Sequence, residues 1–322
     1  MVTEREAIMV NTGKKTGLFT RLTSPGMQLF YISFPFLVLV FIFSYLPLHG
    51  WIYAFFQYRV GMSLADAQFV GLHNFVEPFQ NEILREQLFR VLRNTLAISF
   101  LGLATTPLAA FLAILLFELP SSKFRRVVQT LTTLPHFISW VIVFSLAFAM
   151  FAVDDGFVNH LLVRMEVIPH GINFLAVSGP QVWFAMVGYG IWKGLGWSAI
   201  IYLAAIVSIP QELYEAAEVD GANRFRLAIH ITIPGILPTF FVLLILSIAN
   251  MINSGLEQFF VFQNPMNRQY IEVLDLFVFN VGIGANNIPY ATAIGIARTF
   301  ISTALLFVAN WLSKIVRGHN MF

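Results

Sequence analysis

Residues 215–238 read EAAEVDGANRFRLAIHITIPGILP: three acids, two arginines, two glycines and two prolines in one run, with long apolar segments on either side. The rest of the chain makes such a run look out of place. Of 322 residues, 57% are apolar and only 11% charged, and the mean hydropathy is +0.74, well outside the range of a soluble domain. The apolar residues gather instead of spreading. Six runs reach the roughly 20 residues that a helix needs to cross a bilayer: about 29–56, 94–117, 127–152, 182–207, 236–253 and 291–312. No alternating barrel pattern is present, and every backbone polar group in hydrocarbon needs an internal partner. The chain therefore reads as an all-α polytopic membrane protein with six transmembrane helices.

The placement of the bases orients it. Arg5, Lys14, Lys15 and Arg21, Lys123, Arg125 and Arg126, Arg224 and Arg226, and Lys314 and Arg317 put eleven on one side; the three longer loops 57–93, 153–181 and 254–290 hold six. By the positive-inside rule both termini and the 208–235 loop face the cytoplasm. The first residues have no short apolar core ending at a small-residue cleavage site, so they read as a tail and not a signal peptide. The expected division is a cytoplasmic N-terminal tail (1–28), a membrane domain (29–316) holding the 208–235 loop, and a C-terminal tail (317–322). The outer loops, rich in Asn, Gly and aromatics, read as partly ordered caps able to meet a partner. Cysteine is absent, which removes disulfides, thiolate chemistry and Cys metal sites.

Within the loop, Ser208 at an N-cap, Pro210 in the first turn and Gln211 beyond it predict a helix start. Residues 211–219 are mostly good helix formers, with Glu212 and Glu215 near the positive end of the dipole. Gly221 supplies the left-handed stop. Asn223 can cap a second short helix that Pro234 ends. Such a unit is either a solvated loop or a docking key, in which Ala216 and Ala217 allow close approach, Leu213 and Tyr214 anchor, and the acids set register in a groove.

The spacing of Glu215, Ala216, Ala217, Gly221, Ile231 and Pro234, with Ile233 where Leu is usual and Asp220 and Ala222 completing a D-G-A, resembles the EAA loop of permease subunits of ATP-binding-cassette importers. YLPLHGWIYAFFQY (45–58), FVGLHNF (69–75), NTLAIS (94–99), LPHFISW (134–140), DGFVNHLL (155–162) and EQFFVFQNP (257–265) are similar to carbohydrate permeases of the polysaccharide-uptake type, and most similar to those of bacterial alginate importers. The resemblance implies the type I importer permease fold with cytoplasmic coupling helices, in the bacterial inner membrane. It also implies that Glu215, Ala216, Ala217, Asp220 and Gly221 couple this subunit to an ATPase. The implied partners are a second permease, two ATPase subunits that bind ATP and Mg, an extracytoplasmic solute-binding protein and a carbohydrate. This chain would then be a non-catalytic subunit with no cofactor of its own.

Lys193 and Arg298 fall near mid-depth of their spans, where a cation costs roughly 2.5–3.5 kcal/mol on insertion scales. Each is either a paired structural charge or part of a path for an anionic sugar. No acid is expected at matching depth. Trp192, Trp197, Asn250 and Asn253 are further candidates for a sugar path, although Trp in a span is more often a packing residue. Gly188, Gly190 and Gly194 read as a site of close helix packing. His136, after Pro135, reads as a kink residue.

Several signatures are missing from the sequence. There is no G-x-x-x-x-G-K-[ST] P-loop, no H-E-x-x-H and no G-x-S-x-G, so ATP hydrolysis would have to come from a partner. No cluster predicts a metal site, and the scattered bases form no stripe for nucleic acid. A rival class, the ion-coupled secondary sugar carrier, needs an intramembrane acid for its coupling ion and matching inverted repeats, which the spans do not display.

Overall fold

The computed structural model describes residues 25–317. Most of the expected N-terminal tail, and the C-terminal tail beyond Arg317, lie outside the described residues. The chain parts into two compact units between Ile52 and Tyr53. The first contributes α1 (Pro25–Val40), which continues through a π turn and a 3-10 segment, so that an apolar helix runs Met27–Phe55. The helices that build the sites all belong to the second unit.

Among the described residues five helices are long and apolar enough to cross a membrane, and six if one bent pair counts as a single span. That bent pair corrects the third expected run. Residues 127–152 do not form one helix: α5 (Ser122–Thr133) and its 3-10 extension to Phe137 meet α6 (Trp140–Phe151) at 106°. The cause is local. Pro135 cannot donate to the helix ladder, Ile138 turns extended, and the Ser139 side chain accepts from the Ile142 amide to start a new helix, an N-cap in the middle of an apolar run.

The second expected run also changes. After α2 (His73–Gln80), α3 (Glu82–Ala104) starts twelve residues before the expected 94 and continues as α4 (Pro107–Glu118), giving a span of 37 residues. Asn81 caps its start by accepting from the Ile83 and Leu84 amides. At the joint, Thr105 and Thr106 close 3-10 bonds to Gly102 and Leu103, because Pro107 cannot continue the α ladder.

After α7 (Phe157–Arg164), α8 (Gln181–Val207) is the central helix. It packs on α4 through Ala109, Ala113 and Ala199, small residues that let two backbones approach where no hydrophobic force separates helix from lipid. Against α5 the approach is closer still: a Cβ on Gly196 would lie 2.2 Å from the Thr132 carbonyl oxygen. Gly188, Gly190 and Gly194, expected to pack closely, instead border open space, with nothing within 4 Å of an added Cβ. A small residue permits an approach but does not say which face another helix occupies.

The 254–290 segment, expected as a partly ordered cap, is one of the best-buried parts of the chain. It forms α12 (Glu257–Phe262), α13 (Arg268–Ile271) and α14 (Leu274–Phe279). Ile271, Val273 and Leu276 are all 0% exposed. Val273 and Leu276 pack with Ile98 of α3, Val143 of α6 and Met186 of α8, while Leu274 and Phe277 join Val91, Tyr290 and Ile294. α15 (Ile288–Arg317) completes the chain.

Candidate functional site: a projecting loop and a polar cleft

Between α8 and α11 (Ile233–Ala249) lies the loop that opened the sequence reading. Its helix α9 runs Gln211–Val219. Ser208 does not cap it. Ser208 closes α8, donating its hydroxyl to the Ala205 carbonyl, and Pro210 stands immediately before α9. A serine at a helix junction can serve either neighbour, and here the preceding helix runs on far enough to take it. The other end fits the expectation. Gly221 sits at φ +79°, its amide bonds Glu218 and the Ala222 amide bonds Ala217, which is the paired-bond C-cap that favours a residue without a Cβ.

Asn223 accepts from the Arg226 amide and starts α10 (Arg224–Leu227). Pro234 does not end that helix. A π turn over Ala228–Thr232 carries the chain into α11, so the helix runs Arg224–Ala249. The wider turn absorbs the missing Pro234 amide and the clash of its ring with the preceding turn.

The two faces of α9 differ. Tyr214, expected as an anchor for a partner, turns toward its own chain: its hydroxyl shares a 3.0 Å hydrogen bond with the Thr232 hydroxyl, and its ring lies 5.9 Å from that of Phe117. Arg224 donates to the Glu118 carbonyl, tying the loop to the end of α4. Outward stand Glu215, Ala216, Asp220 and Gly221, with Ala217 half-buried. Val219 is 87% exposed and Phe225 72%. Apart from a Gln211 side-chain bond to Glu215, the acids of this helix form no ion pair within 4 Å among the described residues.

A cleft of about 570 Å³ opens between α3, α8, α11 and α12. Gly190, Gly194 and Ser198 of α8 face it, with Thr105 and Thr106 from the α3–α4 joint and Asn250 at the end of α11. Of the six residues expected along a sugar path, Asn250 alone is in its lining. On α8, Lys193 and Trp197 lie three residues on from Gly190 and Gly194, at the border of the cleft face, and their side chains are engaged elsewhere. Lys193 donates to the His136 carbonyl at 2.6 Å, with its ammonium 5.5 Å from the centre of the Trp140 ring. Trp197 stacks on the His136 ring at 4.6 Å, the two planes nearly parallel. These residues brace the bend between α5 and α6. Trp192 borders a separate apolar groove with Leu146 and Tyr189. Asn253 is exposed beyond the end of α11 and donates to Asn250.

Arg298 has a partner that the sequence reading did not foresee. It is ion-paired with Asp275, which also accepts from the Gly255 amide. Asp275 lies in a loop by sequence, but α14 carries it in beside α15. The same fold supplies a larger network. Glu272, 0% exposed, accepts from Arg90 at 2.8 Å and Asn280 at 3.0 Å, with Arg268 at 3.5 Å. Asn94 donates to the Gln269 and Glu272 carbonyls, and the Thr95 hydroxyl accepts from the Leu274 amide. The Arg93 guanidinium lies 5.0 Å from the centre of the Tyr270 ring. Three buried asparagines hold the quoted motifs in place: Asn74 donates to the Ala54 carbonyl, Asn159 bonds Ala152 and Ile172, and Asn267 donates to the Phe262 carbonyl. An Asn within an apolar run is the only sequence signal that pointed to them.

Residues 105–318 match the family described as binding-protein-dependent transport system inner membrane component. The chain is 37% identical over 322 residues to Protein LplB of Bacillus subtilis (strain 168), covering 99% of this chain and 98% of that one. It is 36% identical over 312 residues to the polygalacturonan/rhamnogalacturonan transport system permease protein YteP of the same organism, covering 96% and 94%. A chain in the crystal structure of a bacterial alginate ABC transporter, in complex with an alginate pentasaccharide-bound periplasmic protein, superposes with a TM-score of 0.81 at 32% identity, covering 94% of this chain and 99% of that one. The helical architecture is that of the type I importer permeases. The chain belongs to the inner membrane components of binding-protein-dependent transport systems.

Proposed function

We propose that this chain is one of two permease subunits of an ATP-driven importer that passes an oligo- or polysaccharide from an extracytoplasmic binding protein to the cytoplasm. The observation that carries the reading is the EAA spacing realised as an exposed helix, closed by Gly221 and tied to α4 and α11 on its inner face only. A helix held that way transmits a push or pull on its outer face to two spans at once. In this reading ATP and Mg belong to two ATPase subunits, and the outward set Glu215, Ala216, Ala217, Asp220 and Gly221 enters a groove on one of them. The excess of bases beside the loop supports a cytoplasmic position for it and for both termini.

The cleft would be this subunit's half of the path, with the second permease as the other wall. A saccharide cargo is supported by the name of YteP and by the likeness to the alginate transporter. For an alginate-like, anionic cargo the likeness is the whole support, since Lys193 and Arg298 are engaged elsewhere. Family membership does not favour the ion-coupled carrier. The test is to purify the complete complex with its binding protein and measure ATP hydrolysis against a panel of saccharides. Stimulation by a saccharide is expected, and uptake that persists without the ATPases would reject the proposal.

A further inference from the structure

The polar side chains of the cleft spend their protons on the protein. Thr105 and Thr106 donate their hydroxyls to the Gly102 and Leu103 carbonyls at 2.7 and 2.8 Å, and Ser247 donates to Leu243 at 2.8 Å. Ser99 donates to the Met251 carbonyl. The amide of Gln258 donates to the Met186 carbonyl at 2.6 Å and to the Met186 sulfur at 3.8 Å. Asn250 gives one amide proton to the Leu246 carbonyl at 2.9 Å.

A hydroxyl has a single proton, so once it is given to a carbonyl only lone pairs remain for a guest. The two amides are oriented by the carbonyls they meet, which turns the Gln258 oxygen toward a guest; the Asn250 oxygen already accepts from Asn253 at 3.4 Å and keeps one lone pair, with one amide proton still to give. The remaining hydroxyls are those of Ser198, Tyr202 and Ser254, and the Ser254 oxygen is buried without a partner. Among the described residues no Lys, Arg, His, Asp or Glu lines the cleft.

The two intramembrane cations do not make up the deficit. Lys193 is held at the His136 carbonyl and is not in the cleft lining, and Arg298 is paired with Asp275. An ionised carboxylate brings only acceptors, and in a desolvated passage it needs a cation or several convergent donors. This wall presents mostly acceptors. A sugar hydroxyl brings its own proton and meets those lone pairs directly.

Resting on the permease reading above, we propose that this subunit's wall of the path selects neutral, hydroxyl-bearing oligosaccharides and discriminates against uronates. Thr105, Thr106, Ser247, Asn250 and Gln258 would be the specificity-determining acceptors. The proposal sets this chain apart from the alginate transporter it resembles in fold, and it replaces the expectation of an anionic cargo.

The test uses the complete complex with its own binding protein in proteoliposomes. Uptake is measured for uronate oligosaccharides of several linkages, alginate and galacturonan fragments included, and for the same molecules after reduction of their carboxyl groups to alcohols. Each pair differs only at the carboxyl carbon, an anionic acceptor in one form and a neutral hydroxyl in the other. The reduced form should enter at least tenfold faster. Because the binding protein also filters cargo, Ser247→Lys supplies the second arm: it should shift the acid-to-neutral ratio at least tenfold toward the acid with the binding protein unchanged. Thr106→Val, close to isosteric, removes one acceptor and should lower uptake of the neutral form severalfold; it keeps the test open if the lysine variant fails to assemble. Equal or faster entry of the acids overturns the proposal. So does a ratio that Ser247→Lys leaves unmoved in a complex that still turns over, or undiminished neutral uptake by Thr106→Val. If no saccharide of the panel enters, the saccharide reading itself fails, a result distinct from equal entry of both forms.

Discussion

Two charged segments of this chain look alike in sequence and differ in what they do with their charges. The 254–290 segment brings Arg268, Glu272 and Asp275 into contact with Arg90, Asn280 and Arg298. The 208–235 segment leaves Glu212, Glu215, Glu218 and Asp220 facing outward with no ion pair within 4 Å among the described residues. The first spends its charges on the fold, where a buried carboxylate must find partners. The second holds its helix with neutral bonds, Tyr214 to Thr232 and the Gly221 cap, and in the proposed function its charges meet an ATPase. On that proposal, stability and coupling are written in different segments.

That contrast breaks first at Glu272. Glu272→Leu removes the group that holds Arg90, Arg268 and Asn280, and leaves Arg90, whose side chain is 30% exposed, unpaired. Breaking a buried pair costs about 3–5 kcal/mol, so the purified complex should unfold at a markedly lower temperature or denaturant concentration. A variant as stable as wild type would place the network outside the fold's energetics.

Within the loop the expected effects are smaller. Gly221→Ala meets no steric obstacle, since nothing lies within 4 Å of the new Cβ, but it must hold φ +79° at a cost of roughly 1–2 kcal/mol. Gly221→Asn, which tolerates that region better, should recover part of the loss in the same unfolding measurement. Tyr214→Phe keeps the ring against Phe117 and loses the bond to Thr232, about 1 kcal/mol, with a larger effect on coupled ATP hydrolysis than on the melting point. Glu215→Lys lies at the end of this series: an exposed change should alter stability by no more than about 0.5 kcal/mol.

The fold was legible where one pattern had one structural meaning. Apolar runs gave the spans, and Gly221 and Asn223 gave the loop's turn. Pro residues were read less well. Pro135 breaks a run that hydropathy alone joins, whereas Pro234 is absorbed by a π turn and breaks nothing. Hydropathy averages over such choices, which depend on the geometry of the turn before each proline. Asp275 and Glu272 escaped notice as partners because their sequence neighbourhood reads as an outer loop, and only α13 and α14 carry them to Arg298 and Arg90. The cleft was missed for a related reason: its polar groups are single Ser, Thr and Gln residues scattered over four helices, each unremarkable alone, while the conspicuous Lys193 and Trp197 are engaged at the α5–α6 bend.

The proposed function rests on the outward face of α9 coupling this subunit to an ATPase. The direct measurement is the stimulation of ATP hydrolysis by binding protein and saccharide, in the assembled complex, for wild type and Glu215→Lys at matched stability. The account predicts at least a tenfold loss of stimulation with the unfolding midpoint unchanged. Full stimulation in the variant would contradict it.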